Sequence, residues 1–179
     1  MRIIGGTHGG RKISPPAKMP YTRPTTDIAK EGLFNIIENN LSISSLKTLD
    51  LFGGTGAISY ELASRGAADL TVIEKDPAMF EFIKKTAGIL GMQNFEVIKS
   101  DVFKYLSLCT ETFDLIFAGP PYALTAIDEI PVIIFGKKLL NDKGWFILEH
   151  TPANNYKSFR FYKTQRNYGT TIFSIFINN

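Results

Sequence analysis

Four short stretches of this chain carry residues suited to chemistry. Asp50-Leu51-Phe52-Gly53-Gly54-Thr55-Gly56-Ala57 places glycines directly after an acid. Glu74, Asp101 and the turn Gly119-Pro120-Pro121-Tyr122 follow it along the chain. Glycine lacks Cβ, so a loop built on it turns tightly and lets backbone approach a ligand. Two kinds of ligand compete for such a loop. A dinucleotide fingerprint needs G-x-G-x-x-G, and here Ser59 stands where the third glycine belongs. The acid favours the other ligand, because an anion at Asp50 repels a pyrophosphate and suits a cation. S-adenosylmethionine, with its sulfonium and ammonium, is an adenosine-bearing cofactor of that charge. A glycine turn without any ligand stays open on this stretch alone.

The other residues fit the same picture. Glu74 ends an apolar run, where an acid accepts hydrogen bonds from ribose hydroxyls. Asp101 lies just past the next such run and is placed to accept from an adenine amino group. In Gly119-Pro120-Pro121-Tyr122 the prolines remove backbone donors and stiffen the chain. A plain turn is the competing reading of this tetrapeptide.

The elements around these residues alternate. Leu46-Lys47-Thr48-Leu49, Leu70-Thr71-Val72-Ile73, Phe95-Glu96-Val97-Ile98, Phe113–Ala118 and Trp145-Phe146-Ile147-Leu148 read as buried strands. Helical patterns stand before the first of them, from Thr26 or Asp27 to Asn39-Asn40, and between several of the rest. In that first helix Gly32 costs about 1 kcal/mol relative to Ala. A second helix runs from Ala57 and stops at Gly66. A third is capped by Asp76, with Pro77 at its first position, and stops at Gly91. A further helix is expected over 127–140. The tail carries two more strand-like runs, 158–162 and 170–177, with a turn over 165–169. The pattern predicts an α/β fold, a doubly wound, mostly parallel sheet with a terminal hairpin. The candidate residues all fall at strand carboxyl ends, where open α/β sheets bind ligands.

Composition bounds the function. The chain has 179 residues, 44% hydrophobic and 21% charged, as one globular domain requires. No apolar run is long enough to span a bilayer and no secretory leader is visible, so a cytoplasmic location is expected. A single cysteine, Cys109, excludes an internal disulfide, and with only His8 and His150 beside it no metal site is expected. His150 is read as a structural residue at a strand end. The net charge of +3 is unevenly spread. Residues 1–30 hold Arg2, Arg11, Lys12, Lys18, Arg23 and Lys30 against Asp27 alone, and residues 151–179 hold Lys157, Arg160, Lys163 and Arg166 with no acid. Basic ends on an acidic body suit a polyanionic partner, solubilising surface charge being the bland alternative. The first residues read as a small glycine-rich basic hairpin, and Pro15, Pro16, Pro20 and Pro24 make an extended loop after it.

The D-x-F-x-G-x-G pattern resembles motif I of class I methyltransferases. Taken with Arg2-Ile3-Ile4-Gly5-Gly6, Gly10-Arg11-Lys12, Arg23-Pro24-Thr25-Thr26-Asp27, Glu74, Ser100-Asp101 and Pro-Pro-Tyr, nearly the whole chain resembles the RsmD family. That family methylates N2 of a guanine in 16S ribosomal RNA. The resemblance implies a Rossmann-like class I fold with a seven-stranded sheet. It implies a small basic RNA-binding extension over 1–24, a methyltransferase domain over 25–179, and S-adenosylmethionine as cofactor. Asp50, Phe52, Gly54, Gly56, Glu74 and Asp101 would hold the cofactor; Arg2, Arg11, Lys12 and Arg23 would meet RNA. Gly119, Pro120, Pro121 and Tyr122 would form the catalytic turn, on ribosomal RNA or a small-subunit assembly particle, with no protein partner required. The family's turn begins with Asp or Asn, and Gly119 departs from it. A guanine amine is a poor nucleophile, so loss of a side-chain acceptor implies slowed chemistry. A non-catalytic assembly protein binding cofactor and RNA, and an adenine-N6 methyltransferase, are the alternatives.

Overall fold

The computed structural model describes residues 1–17 and 25–179. Its strands are β1 (Lys47–Asp50), β2 (Asp69–Glu74), β3 (Phe95–Lys99), β4 (Phe113–Ala118), β5 (Leu140–His150), β6 (Tyr162–Tyr168) and β7 (Thr171–Ile177). The α-helices are α1 (Asp27–Asn40), α2 (Ala57–Ser64), α3 (Pro77–Ile89), α4 (Val102–Leu108) and α5 (Glu129–Gly136). All seven strands join one sheet in the order β3-β2-β1-β4-β5-β7-β6. It is parallel from β3 to β5, and β7 runs antiparallel between β5 and β6. The fold is the expected one of class I methyltransferases, with its C-terminal hairpin.

Both faces of the sheet are covered, which is why the central strands read as unbroken apolar runs. Strand side chains alternate between faces. Leu115, Phe117 and Ile147 therefore pack with Leu33 and Phe34 of α1 and Ile58 and Leu62 of α2. Ile116, Ala118, Phe146 and Leu148 pack with Leu106 of α4 and Ile130 and Ile134 of α5. Thr26 caps α1 by accepting from Ala29 N (3.2 Å), and Asp76 caps α3 by accepting from Met79 N (2.9 Å). The N-terminal residues form a small hairpin, bridged at Arg2 and Lys12, whose Ile3 and Ile13 belong to the same core as α1.

The structure corrects the sequence reading at four places. Helix α5 stops at Gly136, and Leu140 already belongs to β5. Lys138, at φ 56°, makes the left-handed turn that ends the helix, and Leu139 N bonds back to Ile134 O (3.0 Å). Residues 158–161 are not strand, because Phe159 and Phe161 pack on Phe135 of α5, the latter stacked at 4.2 Å. The hairpin turn accordingly falls at Gly169, φ 62°, and β6 takes up 165–168. Helix α4 had no place in the sequence reading; its seven residues bury only Val102 and Leu106. Lys30, counted among the N-terminal basic residues, is buried and pairs with Glu61 at 3.4 Å.

Candidate functional site

β1 and β4 lie side by side, with Asp50 opposite Phe117. From them the sheet grows outward in opposite directions, so their carboxyl ends open a crevice at the topological switch point. The glycine loop leaves β1 here. Gly54 (φ 53°) and Gly56 (φ 81°) are left-handed, a backbone that side chains disfavour. A Cβ on Gly53 would stand 2.8 Å from Ile83 and from Val72, so packing beneath the loop requires that glycine as well.

Carboxylates surround the crevice. Glu74, at the end of β2, accepts Gly54 N on one oxygen (2.7 Å) and Asp76 N on the other (2.8 Å). It thereby fixes the loop, and a carboxylate has about four lone-pair sites, so acceptors remain for hydroxyls. Asp50 is buried beneath the loop rather than beside it. Ser59 Oγ donates to it at 2.5 Å and Phe52 N at 3.3 Å. Burial pushes its carboxyl up to about pH 7; the Ser59 and Phe52 bonds oppose this, and the charges of Glu74 and Glu149 add to it. Phe52 is half-buried at the loop's start. Asp101 is exposed past β3 and caps α4, its Oδ1 accepting from Phe103 N (2.9 Å) and Lys104 N (3.2 Å).

The turn after β4 follows the strand that pairs with β1, from which the loop leaves. Gly119 is half-buried, Pro120 buried and Tyr122 exposed. Pro121 O accepts Leu124 N (2.9 Å), so among the described residues the carbonyls of Gly119 and Pro120 are the turn's candidate acceptors. Glu149, at the end of β5, is buried beside this turn and accepts from Thr25 Oγ1 at 3.0 Å.

With loop, acids and turn assembled on one edge, the comparisons have a clear meaning. Residues 1–177 match the family described as Conserved hypothetical protein 95. The chain belongs to this family. It is 35% identical over 145 residues to ribosomal RNA small subunit methyltransferase D of Escherichia coli strain K12, covering 81% of this chain and 69% of that one. It is 30% identical over 164 residues to the enzyme of that name from Buchnera aphidicola, covering 87% and 83%. The solved structure of yhhF from Escherichia coli superposes with a TM-score of 0.88 at 27% identity, covering 100% of this chain and 98% of that one. The RsmD resemblance drawn from the motifs is the family found.

Membership leaves the individual residues to be placed one by one. The structure brings Asp50, Phe52, Gly54, Gly56 and Glu74 together with the turn 119–122. Asp101 sits further out, past β3. Arg11 and Lys12 are exposed on the hairpin, and Arg2 is exposed but pairs with Asp27 at 2.9 Å. Arg23 lies outside the described residues. In the tail, Lys157, Arg160, Lys163 and Arg166 are all exposed. His150 is buried, with Nδ1 2.8 Å from Thr151 O and Nε2 2.8 Å from Ser174 Oγ. Only an N–H can face a carbonyl, so Nδ1 donates and Nε2 accepts the serine hydroxyl. Burial lowers its pKa, so this is a neutral, structural histidine, as the sequence reading has it. Ser59 and Glu149 were not singled out by sequence. Ser59 was visible only as the missing third glycine, and Glu149 only as a strand end.

Proposed function

We propose that this chain transfers a methyl group from S-adenosylmethionine to the exocyclic N2 amine of a guanine in 16S ribosomal RNA. The observation that carries the reading is the charge of the crevice. Asp50 lies beneath the glycine loop, held by Ser59, Glu74 accepts Gly54 N of that loop, and Glu149 stands beside the turn after β4. Such a site favours a cationic cofactor and opposes a pyrophosphate. The residues present fit that cofactor: Glu74 for the ribose hydroxyls, the Gly54–Gly56 backbone and Phe52 for its body, Asp101 for the adenine amine. When bound, the cofactor supplies an electrophilic methyl group. The chain's own part is positioning. The carbonyls of Gly119 and Pro120 receive one amine hydrogen, Tyr122 offers a ring for the extruded base, and the exposed cations of the hairpin and tail meet phosphates. The relatives' names support the RNA and its small-subunit origin.

The test is transfer of labelled methyl by the purified protein to ribosomal RNA and to small-subunit particles from cells lacking it, with the modified base mapped. One guanine modified at N2 is the expected result. Gly119 favours a second reading, a cofactor-binding assembly protein that does no chemistry. Cofactor binding with no transfer to either substrate would select it, and an N6-methyladenine product would overturn the guanine assignment.

A further inference from the structure

The turn offers the target amine no side-chain oxygen at position 119, yet a carboxylate stands beside it. β4 and β5 are parallel, with Phe117 opposite Ile147 and Ala118 opposite Leu148. Continuing that register brings Gly119 and Glu149 abreast. Phe117 and Ile147 share one face of the sheet, so the next residues of that parity, 119 and 149, point to it too. A Cβ built on Gly119 would lie 3.5 Å from Glu149 Oε2. The same Cβ would press on the Phe117 ring at 3.1 Å. Any side chain here would stand between the turn and the carboxylate, and glycine places none there. Glu149 is held in place, since Thr25 Oγ1 donates to that same oxygen. Its charge also reaches Asp50.

We propose that Glu149 is the side-chain acceptor for the target amine, contacting it through the gap that Gly119 leaves. This rests on the methyltransferase reading above and assigns its missing chemical group. A guanine amine has its lone pair delocalised into the ring. A carboxylate accepting one N–H draws that lone pair out of the ring plane and stabilises the positive charge that develops on nitrogen. As the N–C bond forms and the C–S bond breaks, the electron pair stays on sulfur. One amine proton goes to the Glu149 carboxylate, which releases it to water. Glycine at 119 and the acid at 149 then form one device: an added aspartate at 119 would sit against Glu149 and repel it.

The experiment compares the full chain with Glu149→Ala, Glu149→Gln and the double variant Glu149→Ala/Gly119→Asn. Three quantities are read: S-adenosylhomocysteine affinity by calorimetry, guanosine against inosine binding to the protein so loaded, and single-turnover methylation of ribosomal substrates. Inosine lacks only the exocyclic amine. The wild-type chain is expected to prefer guanosine by about tenfold or more, the worth of a hydrogen bond to a charged acceptor. Glu149→Ala is expected to lose that preference and about 10²-fold or more in rate, at unchanged S-adenosylhomocysteine affinity. Gln, which keeps an acceptor oxygen but takes no proton, is expected to keep part of the preference. Asn at 119 is expected to recover part of the rate. Equal guanosine and inosine binding by the wild type, or a Glu149→Ala chain with wild-type preference and rate, overturns the proposal. So does loss of S-adenosylhomocysteine binding in both single variants, which marks Glu149 as a prop of the fold. If the wild type methylates no ribosomal substrate while its guanosine preference depends on Glu149, the RNA reading fails and the amine contact stands.

Discussion

Asp50 shows how the crevice tunes a single residue. Its folded pKa, about 7, lies well above the ordinary value of 3.8, with burial as the main cause. Between those values the folded chain holds a proton that the unfolded chain has lost, so stability falls as pH rises through this window. The cost is absent below about pH 4 and complete above about pH 7, on the order of 4 kcal/mol at most. Replacing Asp50 with Asn removes a charge that burial disfavours and keeps an acceptor oxygen. The expected outcome is a variant that gains stability relative to wild type between pH 5 and pH 8, read by urea unfolding at both. Cofactor binding carries the opposite sign. A bound cation favours ionised Asp50, so S-adenosylmethionine affinity of the wild type is expected to rise with pH through about 7. In the Asn variant calorimetry is expected to show a flatter profile. Asp50 and Glu74 were legible as acids at strand ends. The role of Ser59 was not, because a fingerprint records only that it is not glycine, whereas its hydroxyl is the partner that makes a buried acid tolerable.

Elements with strong local punctuation were legible, and those shaped by neighbours were not. α3 begins at its Asp76-Pro77 cap and α2 ends before Gly66 because those residues act within one turn. β5 begins at Leu140, earlier than expected, because a lysine rather than a glycine makes the left-handed exit from α5. β6 moved because two phenylalanines found a third on α5, a contact between distant segments that no local pattern announces. Gly32 illustrates the same point inside α1. By propensity it weakens the helix, and alanine would stabilise it by about 1 kcal/mol. In the fold, a Cβ there would stand 2.1 Å from the Tyr168 hydroxyl and 2.3 Å from its ring, so β6 docks through this gap. Gly32→Ala is therefore expected to lower stability in the wild-type chain. In a Tyr168→Ala background, which empties the gap, the same change is expected to raise it by about 1 kcal/mol. Chemical unfolding of the four chains measures the reversal. Alanine stabilising both backgrounds would show that the ring moves aside freely.

At the scale of the whole molecule, the basic ends differ from what composition alone suggested. The N-terminal hairpin is tied into the body: Ile3 and Ile13 join the core, and Glu61 of α2, fully buried, accepts Ile4 N (2.9 Å) and Gly5 N (2.7 Å). Glu61 also pairs with Lys30 and Arg65. Removing the hairpin would strip two donors from a buried carboxylate and uncover apolar side chains, so truncation would confound RNA binding with unfolding. Of the cations among residues 1–30, Lys30 of α1 is spent inside the fold and Arg2 of the hairpin is paired with Asp27. Arg11 and Lys12 remain exposed on the hairpin. Both can release counterions from a phosphate backbone. Replacing both with Ala is expected to leave the melting temperature nearly unchanged, because neither contributes to the core, and to leave cofactor affinity unchanged. RNA affinity is expected to fall at low salt, and the slope of log affinity against log salt to flatten by about one unit per lost contact. Because phosphate contacts carry no sequence information, the loss is expected to be equal on matched and scrambled RNA. A salt titration of both RNAs against both proteins decides it. An unchanged slope would move RNA docking to the exposed cations of the tail, Lys157, Arg160, Lys163 and Arg166, where the same titration on alanine variants would then find it.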